Sequence, residues 1–362
     1  MGSNTRKVKI GDVIIGGGNP VAVQSMTNSK TEDIGATVEQ IRALEEAGCE
    51  LIRVAVPTSE AIAALSKIKK EIKIPLIADI HFHWEYAIGA IEAGVEKIRI
   101  NPGNIGGEEY VAKIVMKAKE NGTAIRIGVN SGSLHPKYSK EEDVATALVK
   151  SCLEYVKFCE NLDFNRIVLS VKSSSVVNSI KAYRMLAEST DYPLHLGITE
   201  SGSLMSGTVK SAVGLGILLS EDIGDTMRVS LSADPVHEVQ VAYQILQALE
   251  LRMYGPEIIS CPTCGRCDID VIPVVEEIEK RLASIRTPLK VAIMGCVVNG
   301  PGEARDADIG IAGGKREGVV FRKGKAIRRV SSDNMAAELM SEIEKLIDDV
   351  KEGEKADGTT DK

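Results

Sequence analysis

Four cysteines lie close together near the C-terminal end of this 362-residue sequence. Three of them, Cys261, Cys264 and Cys267, occur in the segment Cys-Pro-Thr-Cys-Gly-Arg-Cys. The fourth, Cys296, opens the stretch Cys-Val-Val-Asn-Gly-Pro-Gly-Glu, which ends at Glu303. Thiolates are soft ligands for metals, and clustered cysteines in an intracellular chain indicate metal or redox chemistry more often than disulfide bonds.

The spacing of these residues leaves two questions open. Cys261 and Cys264 supply two ligands, and the glycine-rich turn around Cys296 lets the backbone approach a metal site. The fourth ligand could be Cys267, as in the cysteine run of bacterial ferredoxins, or Glu303, an oxygen ligand that would leave one iron accessible to a substrate. Four cysteines also make a structural zinc site, so spacing alone does not choose between zinc and an iron–sulfur cluster.

A second set of polar residues recurs at the carboxyl ends of predicted strands. In the strand Lys97–Asn101, side-chain alternation places Ile98 and Ile100 on one face and Arg99 and Asn101 on the other. The same argument for the other strands predicts a set of polar residues that converge at one end of a sheet: Arg53, Asp79, His81, Arg99, Asn101, Arg126, Asn130, Lys172, Arg228 and Ser230.

Five of these residues are cationic. A single arginine at such a position is most simply explained by a salt bridge, but several like charges buried together are costly unless anions neutralise them. Arginine forks suit phosphate oxygens in particular. The pattern therefore predicts a site for a compact polyanion, most simply a diphosphate.

One acidic residue is placed to transfer a proton. Glu200 follows the seventh predicted strand, in Ile-Thr-Glu-Ser-Gly, where it could act as a general acid or base or pair with Lys172 or Arg228. His81 and His83 are a weak metal signal, and we expect His81 to hydrogen-bond to a substrate instead.

The elements that must position these residues alternate regularly. Eight short β-branched runs, each followed by an amphipathic stretch, fill residues 21–249 and predict a (β/α)8 TIM barrel, although alternation alone also permits a doubly wound open sheet. Val8–Gly18 is predicted to be a hairpin that caps the barrel bottom. The predicted strands are Val21–Ser25, Leu51–Val54, Leu76–Asp79, Lys97–Asn101, Ile125–Val129, Arg166–Lys172, Leu194–Thr199 and Met227–Leu231.

A second, smaller domain is predicted after the barrel. Its pattern of four strands and two helices is typical of an α+β fold. We therefore expect a substrate-binding barrel over residues 1–253, a cysteine-bearing α+β domain over 254–350 and a disordered polar tail over 351–362.

Composition excludes several classes of protein. The net charge of −7 argues against a nucleic-acid binder. No apolar run is long enough to cross a membrane, and the N-terminus lacks a signal-peptide core, so a cytoplasmic protein is expected. Cys49, Cys152 and Cys159 lie in apolar helical patterns and are interpreted as buried core residues.

The sequence resembles one family closely, over residues 8–346. The resemblance is to the bacterial 4-hydroxy-3-methylbut-2-enyl diphosphate synthases of the methylerythritol phosphate pathway to isoprenoids. It is carried by Val-Gln-Ser-Met-Thr-Asn (23–28), Ala-Asp-Ile-His (78–81), Lys-Ile-Arg-Ile-Asn-Pro-Gly-Asn (97–104), Arg-Ile-Gly-Val-Asn-Ser-Gly-Ser-Leu (126–134), Gly-Ile-Thr-Glu (197–200), Gly-Asp-Thr-Met-Arg-Val-Ser-Leu (224–231), Ser-Cys-Pro-Thr-Cys-Gly (260–265) and Met-Gly-Cys-Val-Val-Asn-Gly-Pro-Gly-Glu (294–303).

The resemblance implies a TIM barrel followed by an iron–sulfur domain like those of sulfite reductases. It implies one 4Fe-4S cluster held by Cys261, Cys264, Cys296 and Glu303, with Cys267 as a non-ligand. The implied reaction is reductive ring opening and dehydroxylation of 2-C-methyl-D-erythritol 2,4-cyclodiphosphate, with electrons from ferredoxin or flavodoxin. The implied assembly is a head-to-tail homodimer.

Two other functions remain as alternatives at this point. A redox-independent lyase or aldolase acting on a sugar phosphate would use the cysteines for structural zinc and could form a Schiff base at Lys172. An electron carrier would need no polyanion site, so binding of a cyclic diphosphate discriminates between these classes.

Overall fold

The computed structural model describes residues 4–134, 136–138, 141, 143–296, 305–314, 317–331 and 334–357. The chain divides into two compact units, Met1–Arg252 and Met253–Lys362. None of the described helices combines the length and the apolar character that crossing a bilayer requires.

The first unit alternates strands with helices, as the sequence pattern predicts. Its strands are β1 (Val8–Ile10), β2 (Val13–Ile15), β3 (Ala22–Met26), β4 (Leu51–Ala55), β5 (Leu76–Ile80), β6 (Lys97–Ile100), β7 (Ala124–Asn130), β8 (Ile167–Lys172), β9 (His195–Leu196) and β10 (Thr226–Met227). Its helices are α1 (Ile34–Glu46), α2 (Ser59–Glu71), α3 (Trp84–Glu92), α4 (Pro102–Ile105), α5 (Glu108–Asn121), α6 (Val144–Asn161), α7 (Val176–Ser189), α8 (Leu204–Ser220) and α9 (Pro235–Ala248).

Eight parallel strands form the barrel, in the order β8-β7-β6-β5-β4-β3-β10-β9. The two ends of this sheet meet where Leu169 of β8 forms a parallel bridge with Leu194, just before β9. The Leu169 N–H donates to the Pro193 carbonyl at 2.8 Å. This closure confirms the (β/α)8 prediction and rules out the open doubly wound sheet.

Local sequence signals explain where the helices begin and end. Side chains of Asp33 and Thr58 accept hydrogen bonds from backbone N–H groups in the first turns of α1 and α2. Gly122 ends α5 in the left-handed conformation (φ 67°), which a glycine adopts without steric cost. These caps set each helix start close to the end of the preceding strand.

The N-terminal hairpin closes the bottom of the barrel. Strands β1 and β2 pair antiparallel, and Val8, Ile10 and Ile15 pack in one apolar cluster with the first inward residues of the barrel strands, including Leu51 and Ile77. The predicted capping hairpin is therefore confirmed. Above this apolar plug the barrel interior is polar, although such barrels are usually filled by Val, Ile and Leu.

The second unit is a mixed five-stranded sheet with two long helices packed in its main apolar cluster. The first three strands are parallel, and the last two pair antiparallel with their neighbours. In sheet order the strands are β11 (Pro256–Ser260), β12 (Leu289–Met294), β13 (Ile309–Ala312), β14 (Glu317–Arg322) and β15 (Lys325–Ser331), and the helices are α10 (Val271–Leu282) and α11 (Met335–Asp357).

Two features of this unit differ from the sequence prediction. Strand β11 was not predicted, because Pro256 and Glu257 leave only a two-residue apolar run and the strand is an edge strand that is nowhere fully buried. Helix α11 continues to Asp357, so residues 351–357 of the predicted disordered tail are helical. The Lys, Glu and Ala residues there favour a helix without an apolar period.

Candidate functional site

The inward residues of β5, β6 and β7 stand at one level of the barrel. Asp79 is opposite Arg99 in the β5–β6 register, and Arg99 is opposite Arg126 in the β6–β7 register. All three side chains are buried, as are Arg53 and Lys172. The strand alternation thus brings the predicted cations together inside the barrel.

Asp79 organises one side of this cluster. Its carboxylate lies 3.3 Å from Arg99 Nη1 and 3.7 Å from Arg53 Nε, and His81 Nε2 is 3.4 Å away. Burial alone would raise the pKa of Asp79, but Arg53, His81 and Arg99 more than offset it and hold the pKa well below its ordinary value. Asp79 is therefore an ionised partner of the arginines.

Arg228 has its own carboxylate partner. Its Nε and Nη2 donate to the two carboxylate oxygens of Glu238, each at 3.1 Å. Glu238 also accepts from the Leu231 N–H and from Ser25 Oγ. This bidentate pair fixes the guanidinium plane at the end of β10.

Arg126 and Lys172 lack such partners within the described part of the chain. Arg126 is 2% exposed, and its Nε and Nη1 make no hydrogen bond. The Nε of Arg99 is likewise unpartnered, since this arginine donates through its other nitrogens to Asp79 and to the Gly128 carbonyl. Buried donors without acceptors are rare in folded proteins, so these groups are placed to receive the oxygens of a ligand.

Two glycines make room for the cationic side chains. A Cβ at Gly197 would lie 2.3 Å from Lys172 Nζ, and a Cβ at Gly128 would lie 2.8 Å from Arg99 Nε. Any larger residue at either position would displace a cation from the barrel interior.

Positive charge exceeds negative charge among the described groups of this cluster. Two carboxylates, Asp79 and Glu238, pair with only three of the five cations, Arg53, Arg99 and Arg228. Burial lowers the pKa of Arg53 to about 10 although Asp79 counteracts it. Burial, and after it the neighbouring arginines, lower the pKa of Lys172 well below its ordinary value. Guanidinium groups nevertheless stay protonated at neutral pH, so the site has an unmet demand for an anion.

The remaining predicted residues surround the carboxyl end of the barrel. Glu200 is exposed and adopts φ 52°, a left-handed conformation that costs a non-glycine residue about 1–2 kcal/mol and is found preferentially at functional sites. Asn101 is buried, Asn130 and Ser230 are partly buried, and His81 is half exposed.

Sequence reasoning missed four buried polar residues of the barrel. Glu238 lies on α9 rather than on a strand, so strand alternation gave no signal for it. Gln24, Lys97 and His195 lie on strands and are fully or almost fully buried. The alternation that selected Arg99 also selects Lys97, two residues earlier, and could have found it.

The cysteines of the second unit lie at the ends of neighbouring strands. Cys261 follows β11, and its sulfur accepts a hydrogen bond from the Gly295 N–H at 3.1 Å. Gly295 immediately precedes the buried Cys296 after β12. A Cβ at Gly295 would lie 2.5 Å from Cys267 Sγ, so this glycine lets the backbone next to Cys296 approach the cysteine loop.

The cysteines of the loop lie near one another. The Cys267 N–H donates to the Cys264 carbonyl at 3.0 Å, and the pKa of Cys267 responds to both Cys261 and Cys264. The backbone N–H and then the guanidinium of Arg266 lower the pKa of the exposed Cys264 thiol, which favours the thiolate. A backbone contact with Cys264 acts to lower the pKa of Cys267, but desolvation and the neighbouring thiols raise it overall.

The predicted ligand set is only partly within the described residues. Cys261, Cys264 and Cys296 are described, whereas Glu303 lies outside the described ranges. Among the described residues, no three His, Cys, Asp or Glu side chains are grouped closely enough to hold a metal ion. The three remaining cysteines, Cys49, Cys152 and Cys159, are buried in the barrel unit, and burial raises the pKa of each to about 12.

An eight-stranded parallel barrel with polar side chains gathered at the carboxyl ends of its strands defines a TIM-barrel enzyme. Solved structures share this fold: dihydropteroate synthase from Yersinia pestis superposes with a TM-score of 0.51 at 12% identity, covering 67% of this chain and 97% of that chain. The Xanthomonas albilineans dihydropteroate synthase gives a TM-score of 0.50 at 15% identity, covering 68% and 98%.

Sequence comparison identifies the family. Residues 5–243 match the model of the GcpE TIM-barrel domain, and residues 257–345 match that of the GcpE protein C-terminal domain. The 4-hydroxy-3-methylbut-2-en-1-yl diphosphate synthase (flavodoxin) of Caldanaerobacter subterraneus subsp. tengcongensis is 57% identical over 95% of this chain and 97% of its own length. That of Anoxybacillus flavithermus is 54% identical, with 96% of each chain covered.

The chain belongs to this family of 4-hydroxy-3-methylbut-2-en-1-yl diphosphate synthases, which are oxidoreductases. The resemblance stated from the motifs is therefore confirmed. The comparisons give no support to the alternative of a zinc-containing sugar-phosphate lyase.

Proposed function

We propose that this chain converts 2-C-methyl-D-erythritol 2,4-cyclodiphosphate into 4-hydroxy-3-methylbut-2-enyl diphosphate by reductive ring opening and dehydroxylation. The observation that carries the proposal is the buried excess of cations in the barrel, including Arg126 donors that find no acceptor among the described residues. A cyclic diphosphate is a compact dianion or more, and it supplies both the charge and the oxygen acceptors that this site lacks.

The cations divide into two groups by their present partners. Arg53, Arg99 and Arg228 are already oriented by Asp79 or Glu238, so they offer their remaining N–H groups with little further ordering. Arg126 and Lys172 have no such partners in the part of the chain that the structure describes, and they provide the charge that the diphosphate neutralises. We assign Asn101, Asn130 and Ser230 to neutral hydrogen bonds with the same ligand, and His81 and Asp79 to orienting substrate hydroxyls.

Glu200 is the proposed proton-transfer residue. Its exposed carboxylate stands at the carboxyl end of the barrel and its backbone is held in a left-handed conformation. Strain of this kind is retained where a side chain must point in one direction. Glu200 would hand a proton to the oxygen that leaves as the ring opens and the hydroxyl is lost.

The cysteine loop fits an iron–sulfur cluster. Cys261 and Cys264 lie in one loop, the Gly295 N–H donates to the Cys261 sulfur, and the environment of Cys264 favours its thiolate. We assign Cys261, Cys264, Cys296 and Glu303 as ligands of one 4Fe-4S cluster, with Cys267 as a neighbouring thiol. Such a cluster, when bound, supplies electrons one at a time for a two-electron reduction.

The electron donor and the assembly are further parts of the proposal. The relatives' names specify flavodoxin, so we propose flavodoxin as the donor, with ferredoxin as the alternative. A cytoplasmic homodimer and a likeness of the second unit to sulfite reductase domains remain expectations from the family resemblance.

Anaerobic turnover tests the proposal. The reconstituted full chain should convert the cyclic diphosphate into hydroxymethylbutenyl diphosphate with reduced flavodoxin, as followed by mass spectrometry. Oxidised flavodoxin is the matched control and should give no product. Equal conversion without reductant would contradict the proposal and favour a redox-independent lyase.

A further inference from the structure

A second layer of buried polar side chains lies inside the barrel, and the proposed function does not use it. It consists of Gln24 on β3, Lys97 on β6 and His195 on β9. Lys97 precedes Arg99 by two residues, so both side chains face the interior and Lys97 stands nearer the hairpin that plugs the bottom. Lys97 and His195 are each 0% exposed.

The polar side chains of this layer make few hydrogen bonds. Lys97 Nζ donates to Gln24 Oε1 at 3.4 Å, a long contact. His195 Nδ1 lies 2.8 Å from Thr226 Oγ1. Within the described part of the chain, Gln24 Nε2 and His195 Nε2 have no hydrogen-bond partner, and no carboxylate pairs with Lys97. A buried ammonium without a carboxylate is among the least stable arrangements in a protein.

The charged groups that face this layer are almost all positive. Arg53 on β4 and Arg126 on β7 act on Lys97, and Lys172 on β8 joins them in acting on His195. The nearest paired carboxylate, Asp79 on β5, is held by Arg53 and Arg99. Burial, then Arg126 and Arg53, lower the pKa of Lys97 well below its ordinary value, and burial lowers that of His195 in the same way. Full burial without a carboxylate partner, next to other cations, therefore favours the uncharged form of both side chains in the empty barrel.

We propose that Lys97 is a positioning residue of the anion site, which takes up a proton from solvent when a diphosphate enters the barrel. The inference rests on the proposed function, because it needs a diphosphate in the site. The negative charge of the ligand attracts Lys97 and so offsets the repulsion between Lys97 and the arginines. The proton adds to the free electron pair of Nζ, and no covalent bond of the ligand changes.

Taking up the proton only when the ligand binds has a physical benefit for the empty protein. The empty protein does not have to bury the charge of Lys97 as well, which would add to the repulsion among the neighbouring cations. Once charged, Lys97 strengthens its hydrogen bond to Gln24 Oε1, and His195 Nε2 is a second acceptor in this layer when Nδ1 carries the proton. Lys97 then adds positive charge on the side of Arg126 nearer the hairpin, without contacting the reacting atoms.

Proton uptake can be measured directly. The cyclic diphosphate is titrated calorimetrically, without reductant, into the cluster-loaded protein at about pH 8, below the ordinary pKa of lysine. Two buffers with different ionisation enthalpies give the number of protons taken up for each ligand bound. The variant is Lys97→Met, and the matched control is Lys69→Met, which removes a part-exposed lysine that is paired with Glu96.

The wild type should take up about one proton more per ligand bound than Lys97→Met. Its Kd for the cyclic diphosphate should therefore rise about tenfold more per pH unit than that of the variant. Lys69→Met should match the wild type. Should Lys97→Met fail to fold, Lys97→Arg provides the second test, because a permanent guanidinium also abolishes the extra uptake.

Two outcomes overturn parts of the account separately. A folded Lys97→Met protein with the same uptake as the wild type would refute the role of Lys97 and leave the proposed function intact. A wild-type protein that does not bind the cyclic diphosphate at all would refute the proposed function itself.

Discussion

The two units of the chain build their candidate sites in different ways. In the barrel, strand register places buried cations at one level, and carboxylates on β5 and α9 orient three of them before any ligand arrives. In the second unit, the cysteines are held by a loop after β11 and a turn after β12, and Cys264 is exposed. The barrel site is therefore preorganised, whereas the cysteine site depends on its metal for rigidity.

Cys264→Ser alters the cysteine site, leaves the barrel site intact and should reduce turnover most strongly. The variant should lose the cluster and all turnover, because an iron–sulfur cluster requires thiolate ligands. Binding of the cyclic diphosphate should be kept, because none of the barrel cations is altered. Iron analysis and calorimetry measure the two properties, and a variant with full iron content would contradict the ligand assignment.

The second-largest effect is expected on diphosphate binding, from a change at Arg126 in the barrel. Arg126→Met should weaken diphosphate binding about a hundredfold, since each charge-assisted hydrogen bond contributes about 1.5–3 kcal/mol. Iron content should not change. The unliganded variant should unfold at the same temperature as the wild type or a higher one, because a buried cation among like charges is removed.

A matched control is available on the barrel surface. Arg184 is half exposed and paired with Glu221, so Arg184→Met should leave diphosphate affinity unchanged. If both arginine variants lost affinity equally, the effect would reflect net charge rather than the buried site.

A single methyl group added at Gly197 should have a smaller effect on diphosphate affinity. Gly197→Ala would bring a Cβ within 2.3 Å of Lys172 Nζ, a flexible side-chain end that can move aside. We expect a folded protein with diphosphate affinity reduced about tenfold, or about 1.4 kcal/mol. Gly216→Ala is the control, because nothing lies within 4 Å of a Cβ there. Unchanged affinity in Gly197→Ala would show that Lys172 does not hold the ligand.

The smallest effect concerns the third thiol of the loop. Cys267→Ser should keep both cluster and turnover if Glu303 completes the ligand set. The test is sensitive because Cys267 lies in the same loop as the assigned ligands and its N–H donates to the Cys264 carbonyl. Loss of iron together with activity would instead favour the arrangement of three cysteines found in ferredoxin-like runs.

Much of the fold could be predicted because its signals are local. The six barrel strands β3 to β8 carry β-branched runs with a period of two, and each lies within one or two residues of its predicted bounds. Strands β9 and β10 are only two residues long, much shorter than predicted, because pairing with neighbours stops before the polar residues of the mouth. Strand β11 was not predicted, because it is stabilised by its pairing with β12 and its composition is not typical of a strand.

The site was predictable only in part. The inward cations follow from alternation, but the partners that orient them do not. Glu238 binds Arg228 from a helix, where strand alternation does not apply. Glu200 has a left-handed backbone although it is not a glycine, so no sequence signal predicts that conformation. Lys97 shows the opposite case: alternation selects this residue, but the lowering of its pKa depends on its burial and on the charges that tertiary structure places around it.

Metal analysis of the anaerobically purified protein decides whether the second unit holds a redox cluster. We expect about four iron and four acid-labile sulfide atoms per chain with broad brown absorbance, as a 4Fe-4S cluster requires. Stoichiometric zinc without sulfide would contradict this expectation, because a colourless zinc protein could not deliver electrons to a substrate held in the barrel.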